Sequence, residues 1–225
     1  MPNKPELRID WATYSAARYA CRHWHYSGCL PVGKLVKVGA WEDGRFVGVV
    51  VFGRGATPNL GRPYGLKQTE CVELVRIALR DHASPVTRIV AIAIRMLRQL
   101  CPGLRLIVSF ADASQGHHGG IYQAGNWIYT GAGSPATFYR VKGRIMHPRS
   151  IGAAGYVQNL DGARKLDPNA EAVEVPGKHR YLMPLDQDMV EQVMPLSKPY
   201  PSRRKGQASE DPSGLGGSTP TPALQ

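Results

Sequence analysis

Residues 104–131 read LRLIVSFADASQGHHGGIYQAGNWIYTG, and this stretch decides which fold we expect. Leu104 to Phe110 is a continuous apolar run of the kind found in strands inside a sheet. The run is followed by Ala111-Asp112, where a segment rich in glycine begins. In open α/β sheets, ligands bind beyond the carboxyl ends of the strands. We therefore expect Ser109 and Asp112 to lie at the mouth of a site.

Two helices are expected on the N-terminal side of this stretch. Apolar residues at helical spacing predict a helix that begins near Asp10 or Thr13 and ends before Gly28. A second apolar pattern, broken by a narrow stripe of arginines, predicts a mostly buried helix over 86–100. We expect Ser84-Pro85 to cap and start that second helix.

Strand patterns occupy much of the remaining chain. The Asp43-Gly44 pair between two strand-like runs predicts a β-hairpin. The predicted strands are 34–41, 45–53, 70–79, 104–110, 127–130, 136–141 and 178–184, with 127–130 and 136–141 expected to form a pair. A short helix is predicted over 115–124, and residues 145–170 are expected to be irregular. This order predicts an α/β fold with a mixed central sheet flanked by helices.

The composition of the C-terminal end separates it from the rest. We predict one domain over residues 1–194 and a disordered tail over 195–225, since the tail is rich in proline, glycine and serine and has almost nothing to bury. The run Ser202-Arg203-Arg204-Lys205 in this tail either contacts phosphates or is a solvated charge run.

The charge of the chain indicates a polyanionic partner. Its 225 residues include 28 lysines and arginines against 17 acidic residues, a net charge of +11. A surplus this large on a globular chain is typical of proteins that bind nucleic acid. Apolar runs do not reach the ~20 residues that a membrane helix needs, and the first residues lack the apolar region of a secretory signal. We therefore expect a cytoplasmic protein with no membrane partner.

The four cysteines do not form a recognisable site. They are scattered along the sequence without a Cys-x-x-Cys pair, at Cys21, Cys29, Cys71 and Cys101. This spacing favours reduced thiols over disulfides or a structural zinc site.

Two clusters outside the opening stretch carry polar chemistry. His25 and Tyr26 follow the end of the first predicted helix, in the sequence HWHYSGC. Arg76 lies on a predicted strand with apolar neighbours, where a charge is costly unless it is paired or used. Arg76 either makes a structural ion contact or binds an anionic or carbonyl ligand, which its planar fork suits.

The segment after Asp112 offers an acid–base catalyst or metal ligands. His117 and His118 lie in a Gly-rich turn, and one neutral imidazole can act as a base near physiological pH. With Asp112 they would also supply the two histidines and one carboxylate of a non-haem iron site. Adjacent histidines on regular backbone point in different directions, however, and the spacing does not enforce such a site. Further along, Lys178 and Arg180 either bind a phosphate backbone or lie on an exposed strand face.

Three segments together resemble a known family. LRIDWATYSAARYACRHWHYS, GLKQTECVELVRIALRDHASPVTRIVAIAIRML and LRLIVSFADASQGHHGGIYQAGNWIYTG are similar to the Mom DNA-modification proteins of Mu-like bacteriophages. The resemblance covers roughly residues 7–185. It implies a GNAT acyltransferase-like catalytic domain in the host cytoplasm. It also implies an enzyme that adds a carbamoylmethyl group to N6 of adenine in double-stranded DNA, which protects the DNA from host restriction.

The resemblance also assigns site residues. It implies that the family's His-Tyr pair is His25 and Tyr26, and it places Arg76, Ser109 and Asp112 in the pocket, followed by Tyr122. The sequence departs from GNAT enzymes at residues 80–85. The glycine-rich loop that binds the pyrophosphate of coenzyme A is replaced there by Arg80-Asp81-His82-Ala83-Ser84-Pro85. Without those glycines the backbone amides are less free to hold phosphate, which disfavours acetyl-coenzyme A as the donor.

A mechanism follows as a hypothesis. The enzyme must extrude the adenine, and Trp24, Tyr26 or Trp127 would stack on it. Asp112 would accept a hydrogen bond from the N6 amino group, and His25 or His118 would act as the base. The remaining roles are donor binding by Arg76 and Ser109, protonation of the leaving group by Tyr122, and DNA binding by Lys178 and Arg180.

Alternatives from other classes stay open. A conventional acetyltransferase acting on RNA or protein would share the fold, and a non-catalytic DNA-binding regulator would share the charge. A metal-dependent transferase would hold iron. The sequence leaves the group donor, the DNA sequence context and the oligomeric state open.

Overall fold

The computed structural model describes residues 4–55 and 57–202. The strands are β1 (Leu7–Trp11), β2 (Leu35–Glu42), β3 (Arg45–Gly53), β4 (Cys71–Leu79), β5 (Leu106–Ala111), β6 (Ile128–Ala132), β7 (Ala136–Val141), β8 (Arg144–Met146), β9 (Glu171–Val175) and β10 (His179–Pro184). The α-helices are α1 (Tyr14–Trp24), α2 (Val86–Leu100), α3 (Gly120–Ala124), α4 (Pro148–Ala153), α5 (Leu160–Leu166) and α6 (Gln187–Val193).

A seven-stranded sheet forms the centre of the molecule. Its order is β1-β2-β3-β4-β5-β10-β6, and its neighbours pair antiparallel except β4 and β5, which are parallel. Helices cover both faces, so the predicted α/β fold with a mixed central sheet is confirmed. The acyltransferase-like part of that expectation stays a prediction. No helix among the described residues is long and apolar enough to span a bilayer.

The β2–β3 hairpin forms where the sequence predicts it. Glu42 pairs with Arg45, so Asp43 and Gly44 are the two-residue turn, and their φ angles of 48° and 78° are both positive. A type I′ turn requires this backbone conformation, which glycine adopts without strain and aspartate tolerates. The apolar run of β3 is buried on both faces of the sheet.

The two long helices pack on opposite faces of the sheet. Thr13 caps α1 by accepting a hydrogen bond from the backbone N–H of Ala16 at 3.1 Å. Small residues of α1 pack against β3 and β4, and larger apolar residues of α2 pack on the other face. Ser84 does not cap α2, contrary to the prediction. Its N–H is bound elsewhere, and Pro85 is the N-cap without a side-chain hydrogen bond.

The parallel strands β4 and β5 separate partway along their length. Their pairing runs from Cys71↔Leu106 to Leu74↔Ser109, although β4 continues to Leu79 and β5 to Ala111. We call this opening the split. A bulge in β4 lies at the same place, because Val51 pairs with Arg76 and Phe52 with Leu74. The bulge puts Arg76 on the α1 face, whereas simple alternation predicts that it lies on the same face as Leu74.

The second half of the chain differs from the prediction in its strand pairing. The strands over 127–130 and 136–141 were expected to pair, but β6 pairs with β10 and β7 belongs to a separate three-stranded sheet of order β8-β7-β9. The partner of β6 comes from about fifty residues further along, and local patterns do not reveal such a distant strand. Residues 145–170 are not irregular either, since they include α4 and α5, which pack on β7.

Smaller differences affect the ends of other elements. Strand β1 precedes α1, so Asp10 lies in a strand and Thr13 alone starts the helix. The helix predicted over 115–124 is a 3-10 turn at Ala113–Gln115 followed by α3, with His117 and His118 in the connection. Residues 195–202, assigned from sequence to the tail, run along β6, and the Lys198 N–H donates to the Tyr129 carbonyl. Residues 203–225 lie outside the described part of the chain.

Candidate active site

Arg76 lies at the centre of the candidate site, just past the bulge in β4. Its Nη1 donates to the Val75 carbonyl at 2.7 Å, while its Nε is buried without a hydrogen-bond partner. The positive charge of Arg76 acts on Cys21, His25 and Tyr26, which places it under the C-terminal end of α1. A buried guanidinium donor without an acceptor costs free energy and points to a ligand that would fill the position.

His25 leaves α1 in an extended conformation, with φ −121° and ψ 135°. Its Nδ1 accepts a hydrogen bond from the Ser27 backbone N–H at 3.1 Å and lies 2.8 Å from the Ser27 hydroxyl oxygen. Burial, with smaller contributions from Arg76 and His117, lowers the pKa of His25 to about 4. The imidazole is therefore neutral at pH 7, and because Nδ1 is the acceptor, Nε2 carries the proton.

Tyr26 connects the end of α1 to the segment after β5. Its ring centroid is 4.3 Å from that of His25 and 5.2 Å from that of His117, and half of its surface is exposed. Burial of the hydroxyl and the negative charge of Asp112 raise the pKa of Tyr26, against the charge of Arg76. An exposed ring between two imidazoles offers a flat surface for another aromatic group.

Asp112 is held ionised at the end of β5. Its Oδ1 accepts hydrogen bonds from the Ser114 N–H at 3.1 Å and the Ser114 hydroxyl at 2.6 Å, and its Oδ2 is 3.2 Å from Lys178 Nζ. Burial alone would raise the pKa of Asp112, but the hydrogen bonds from Ser114 and the charge of Lys178 outweigh burial and lower it. This carboxylate can accept a further hydrogen bond and is a weak base.

Ser109 lies at the apex of the split and is fully buried, so it is not at the mouth of the site as the sequence led us to expect. Its hydroxyl is 2.8 Å from the Leu74 carbonyl and 2.7 Å from the Tyr122 hydroxyl. A carbonyl only accepts, so the single Ser109 proton goes to Leu74 and Tyr122 donates to Ser109. Burial raises the pKa of Tyr122 to about 12. Tyr122 would have to release Ser109 before it could protonate a leaving group.

The structure therefore brings together most of the predicted site residues. Arg76 and His25 lie on the α1 face, while Ser109 and Tyr122 lie on the α2 face, where Ser109 is next to the core. The negative charge of an ionised Tyr26 raises the pKa of Tyr122, so the two faces approach each other at the split. The charges of Asp112 and Arg76 both act on the Tyr26 hydroxyl, and that of Arg76 also acts on His25.

His118 lies apart from this group. Its carbonyl accepts hydrogen bonds from the Tyr181 hydroxyl and from Gln123, and its charge acts on His179. Among the described residues, no three His, Cys, Asp or Glu side chains are placed to hold a metal ion. The set of His117, His118 and Asp112, suggested from sequence as iron ligands, is therefore not assembled. The two adjacent histidines point to different neighbours.

The residues predicted to contact DNA differ in how exposed they are and in what they pack against. Trp127 is only 2% exposed and packs in the core, so it does not stack on a base in this conformation. Trp24 is half-buried and packs edge-on against Tyr19 and beside Phe46. The Arg180 guanidinium lies 5.7 Å from the Phe110 ring centroid. Lys178 is exposed and pairs with Asp112, which puts it next to the site.

The loop before α2 tests whether coenzyme A fits this chain. The backbone N–H groups of Ala83 and Ser84 donate to the two carboxylate oxygens of Glu42, at 2.8 and 2.7 Å. Glu42 is only 5% exposed, and these hydrogen bonds lower the pKa of its carboxyl although burial opposes them. The Glu42 carboxylate is thus bound to the backbone amides that lie where a GNAT enzyme would bind pyrophosphate. The loop does not fit coenzyme A.

The sequence analysis missed two supporting residues. Ser114 holds the Asp112 carboxylate, and the Asp-x-Ser spacing is a known turn signal that could have revealed it. Glu42 holds the loop at 83–84 from more than forty residues away, and no local pattern indicates that contact.

The chain is similar to known proteins in sequence and in structure. The family model described as the Mom protein family matches residues 6–202. The chain is 30% identical over 152 residues to methylcarbamoylase mom of Escherichia phage Mu, covering 66% of this chain and 63% of that protein, so it spans less than two thirds of that relative's length. A solved structure of a candidate acetyltransferase from Acinetobacter baylyi ADP1 is also similar, with a TM-score of 0.46 and 11% identity over 83% of this chain and 96% of that one.

Proposed function

This chain belongs to the Mom protein family, and from that premise we propose that it is a phage DNA-modification transferase acting on N6 of adenine in double-stranded DNA. The group transferred is a carbamoylmethyl group, and the modified DNA resists host restriction in the cytoplasm of the infected cell. The net charge of +11 supports a DNA substrate.

The observation that carries this proposal is the unpartnered Nε of Arg76 beside His25 and Tyr26. A donor that carries an amide or carboxyl group supplies the missing acceptor oxygen at this point. Arg76 then holds the carbonyl end of the donor and orients its reactive carbon toward the mouth of the split. A non-catalytic DNA-binding protein has no need of such a buried, unsatisfied donor.

His25 acts in this proposal as a hydrogen-bond donor and not as the base expected from sequence. Its protonated Nε2 is the free nitrogen, because the Ser27 N–H occupies Nδ1. A neutral imidazole that donates to a carbonyl or leaving group needs a low pKa, which burial supplies here. His25 and Arg76 together stabilise negative charge that develops on the donor.

Asp112 and Tyr26 receive the adenine. Extruding the base costs a few kcal/mol, and stacking on an aromatic ring returns about 1–3 kcal/mol per base. The exposed ring of Tyr26 is the available surface, since Trp127 is buried. The Asp112 carboxylate accepts a hydrogen bond from the N6 amino group and increases its nucleophilicity. The new bond joins N6 to the transferred carbon while the leaving group departs with its electron pair and N6 loses one proton to solvent.

Mass spectrometry of nucleosides from plasmid DNA tests the proposal. Cells that express the wild-type chain are expected to contain a modified deoxyadenosine, whereas Arg76→Gln and Asp112→Asn are expected to lose it. Arg88→Gln, on the exposed face of α2, is the matched control and retains the product. If cells that express the wild-type chain as a soluble, folded protein contain only unmodified DNA, the proposal is contradicted.

Fragmentation of the product identifies the group. A methylcarbamoyl group, named for the phage Mu relative, and a carbamoylmethyl group have the same elemental composition and therefore the same mass. The methylcarbamoyl adduct is a urea that releases methylamine on fragmentation, whereas the carbamoylmethyl adduct is a primary amide that loses ammonia. Loss of methylamine would correct the group while leaving the reaction class intact.

A further inference from the structure

The hairpin between β7 and β8 exposes a rigid turn at one edge of the three-stranded sheet. Val141 pairs with Arg144, so Lys142 and Gly143 form a two-residue turn with φ angles of 49° and 75°. The Lys142 N–H donates to the Asp167 carboxylate at 2.7 Å, which holds the turn against the end of α5. Strand β8 is the outer strand of this sheet, so its free edge faces away from β7.

The sequence around this hairpin is unusually free of negative charge. Residues 136–160 contain no aspartate or glutamate. Arg140 in this segment pairs with Glu171 at 2.6 Å and is neutralised. Lys142, Arg144 and Arg149 are exposed, and in the described part of the chain none of the three side chains forms an ion pair. We call these three residues the basic edge.

The basic edge begins next to the candidate active site. The His147 ring packs on Phe138 at 4.8 Å, and its Nδ1 accepts from the Arg149 N–H at 2.9 Å. The charges of both Arg149 and Lys178 act on His147, which places the two cations near each other. Lys178 in turn is 3.2 Å from Asp112. Positive charge therefore lies at both ends of the hairpin, with Lys178 and Arg149 at the end next to Asp112 and Lys142 and Arg144 at the turn.

The length of the hairpin matches a short stretch of duplex. From Phe138, beside His147, to the turn at Lys142 is four residues of strand, or about 13 Å at ~3.3 Å per residue. Phosphates along one DNA strand are spaced by about 3.4 Å of helix axis. A duplex lying along the hairpin spans about four base-pair steps over this distance.

We propose that Lys142, Arg144 and Arg149 bind the phosphate backbone of double-stranded DNA next to the adenine that enters the site. This inference rests on the proposed function, because it takes DNA as the substrate. It adds a docking surface outside the residues that resemble the family's pocket. Lys178 marks the end of this surface at the site, where its charge is shared with Asp112. Phosphate contacts of this kind position the duplex and carry no sequence preference of their own.

Salt-dependent binding of a duplex tests the basic edge. Fluorescence anisotropy with a labelled DNA duplex gives the dissociation constant at several salt concentrations for the wild type, for the triple variant Lys142→Ala, Arg144→Ala, Arg149→Ala, and for a control. The control replaces Arg88, Arg95 and Arg98 with alanine, three exposed arginines of α2 that remove the same charge. The triple variant is expected to reduce the slope of log K against log salt by about 2–3, at ~0.9 for each phosphate contact. Its affinity in low salt is expected to fall about 10- to 100-fold, and that of the control much less.

The outcomes separate this inference from the proposed function. Equal slopes for the triple variant and the α2 control overturn the basic edge while the function stands. A wild-type protein that does not bind the duplex, or binds a matched RNA duplex more tightly, overturns DNA as the substrate and the inference with it. If the triple variant does not fold, Arg144→Gln alone is measured, and an unchanged slope overturns the role of Arg144.

Discussion

Arg76 shows how much of the candidate site depends on single residues. Its guanidinium group lies where β4 and β5 diverge, and its Nε is buried without an acceptor. Removing one partner of a satisfied hydrogen bond is costly, whereas removing an unsatisfied donor is nearly neutral or stabilising. Arg76 therefore allows stability and activity to be separated.

Arg76→Met is expected to abolish DNA modification while the free energy of unfolding changes by less than about 1 kcal/mol, because removal of the unsatisfied Nε and the buried charge offsets the lost hydrogen bond from Nη1 to the Val75 carbonyl. Methionine fills a similar length of the pocket without a buried charge. Urea denaturation of the variant measures its stability, and mass spectrometry of nucleosides from cells that express it measures DNA modification. A large loss of stability would make Arg76 a structural residue and remove it from donor binding.

His25 makes the stability depend on pH in a defined direction. Its pKa is about 4 in the folded protein, against an ordinary value near 6.5. Between these values the unfolded chain binds a proton that the folded chain does not, so stability falls as the pH decreases from about 6.5 to 4. His25→Gln is expected to flatten this part of the profile. Chemical denaturation of both proteins from pH 7 to pH 4 measures the difference, and parallel profiles would contradict the low pKa.

At the scale of elements, the hairpin and the loop before α2 depend on each other. Glu42 lies at the turn between β2 and β3, and its carboxylate holds the N–H groups of Ala83 and Ser84. The loop has a residue of positive φ at Asp81, at 49°, where a side chain is tolerated but not favoured. The contact thus fixes where α2 begins.

Glu42→Gln is expected to reduce the free energy of unfolding by about 1–3 kcal/mol at pH 7, because glutamine can accept only one of the two hydrogen bonds and carries no charge. The pKa of Glu42 is lowered, so this contribution is present above its ordinary pKa and is lost as the pH falls through the lowered value. Denaturation at pH 7 and at low pH measures it, with Glu191→Gln on the exposed face of α6 as the control. A difference that persists in acid would contradict the charge-assisted contact.

Local sequence patterns predicted where the helices and strands of the site lie better than they predicted which strands pair. The apolar run before Asp112 and the helix stop before Gly28 placed Asp112 and His25 at element ends, whereas Ser109 lies inside β5. The positions of Trp127 and His118 depend on contacts with strands distant in sequence, and the patterns did not reveal them. The bulge at Val75 likewise has no local signal, yet it decides which face Arg76 occupies.

For the whole molecule, the site requires the complete fold. Its groups come from the end of α1, from β4, from the end of β5 and from the start of β10, segments spread over more than 150 residues. The described residues after α6 add to this fold. The Lys198 N–H donates to Tyr129, and the Tyr200 hydroxyl donates to the Trp127 carbonyl at 2.8 Å.

A chain that ends at residue 202 is expected to unfold at the same denaturant concentration as the full chain. A chain that ends at 196 is expected to lose about 1–3 kcal/mol, because the carbonyls of Trp127 and Tyr129 lose their donors. Denaturant titration followed by tryptophan fluorescence compares the two truncations. Equal stability would show that residues 197–202 contribute nothing to the fold.

The contact between Glu42 and its loop sets a limit on the proposed donor. Because the Ala83 and Ser84 amides already bind Glu42, they are not free to bind the nucleotide part of a large donor. The proposed enzyme must therefore bind the donor through its reactive end. So small a molecule offers few atoms, each contributing at most about 1.5 kcal/mol, so its affinity would be modest. How completely the DNA is modified would then follow the metabolic supply of that compound, and a shortage in the cell would leave genomes only partly marked.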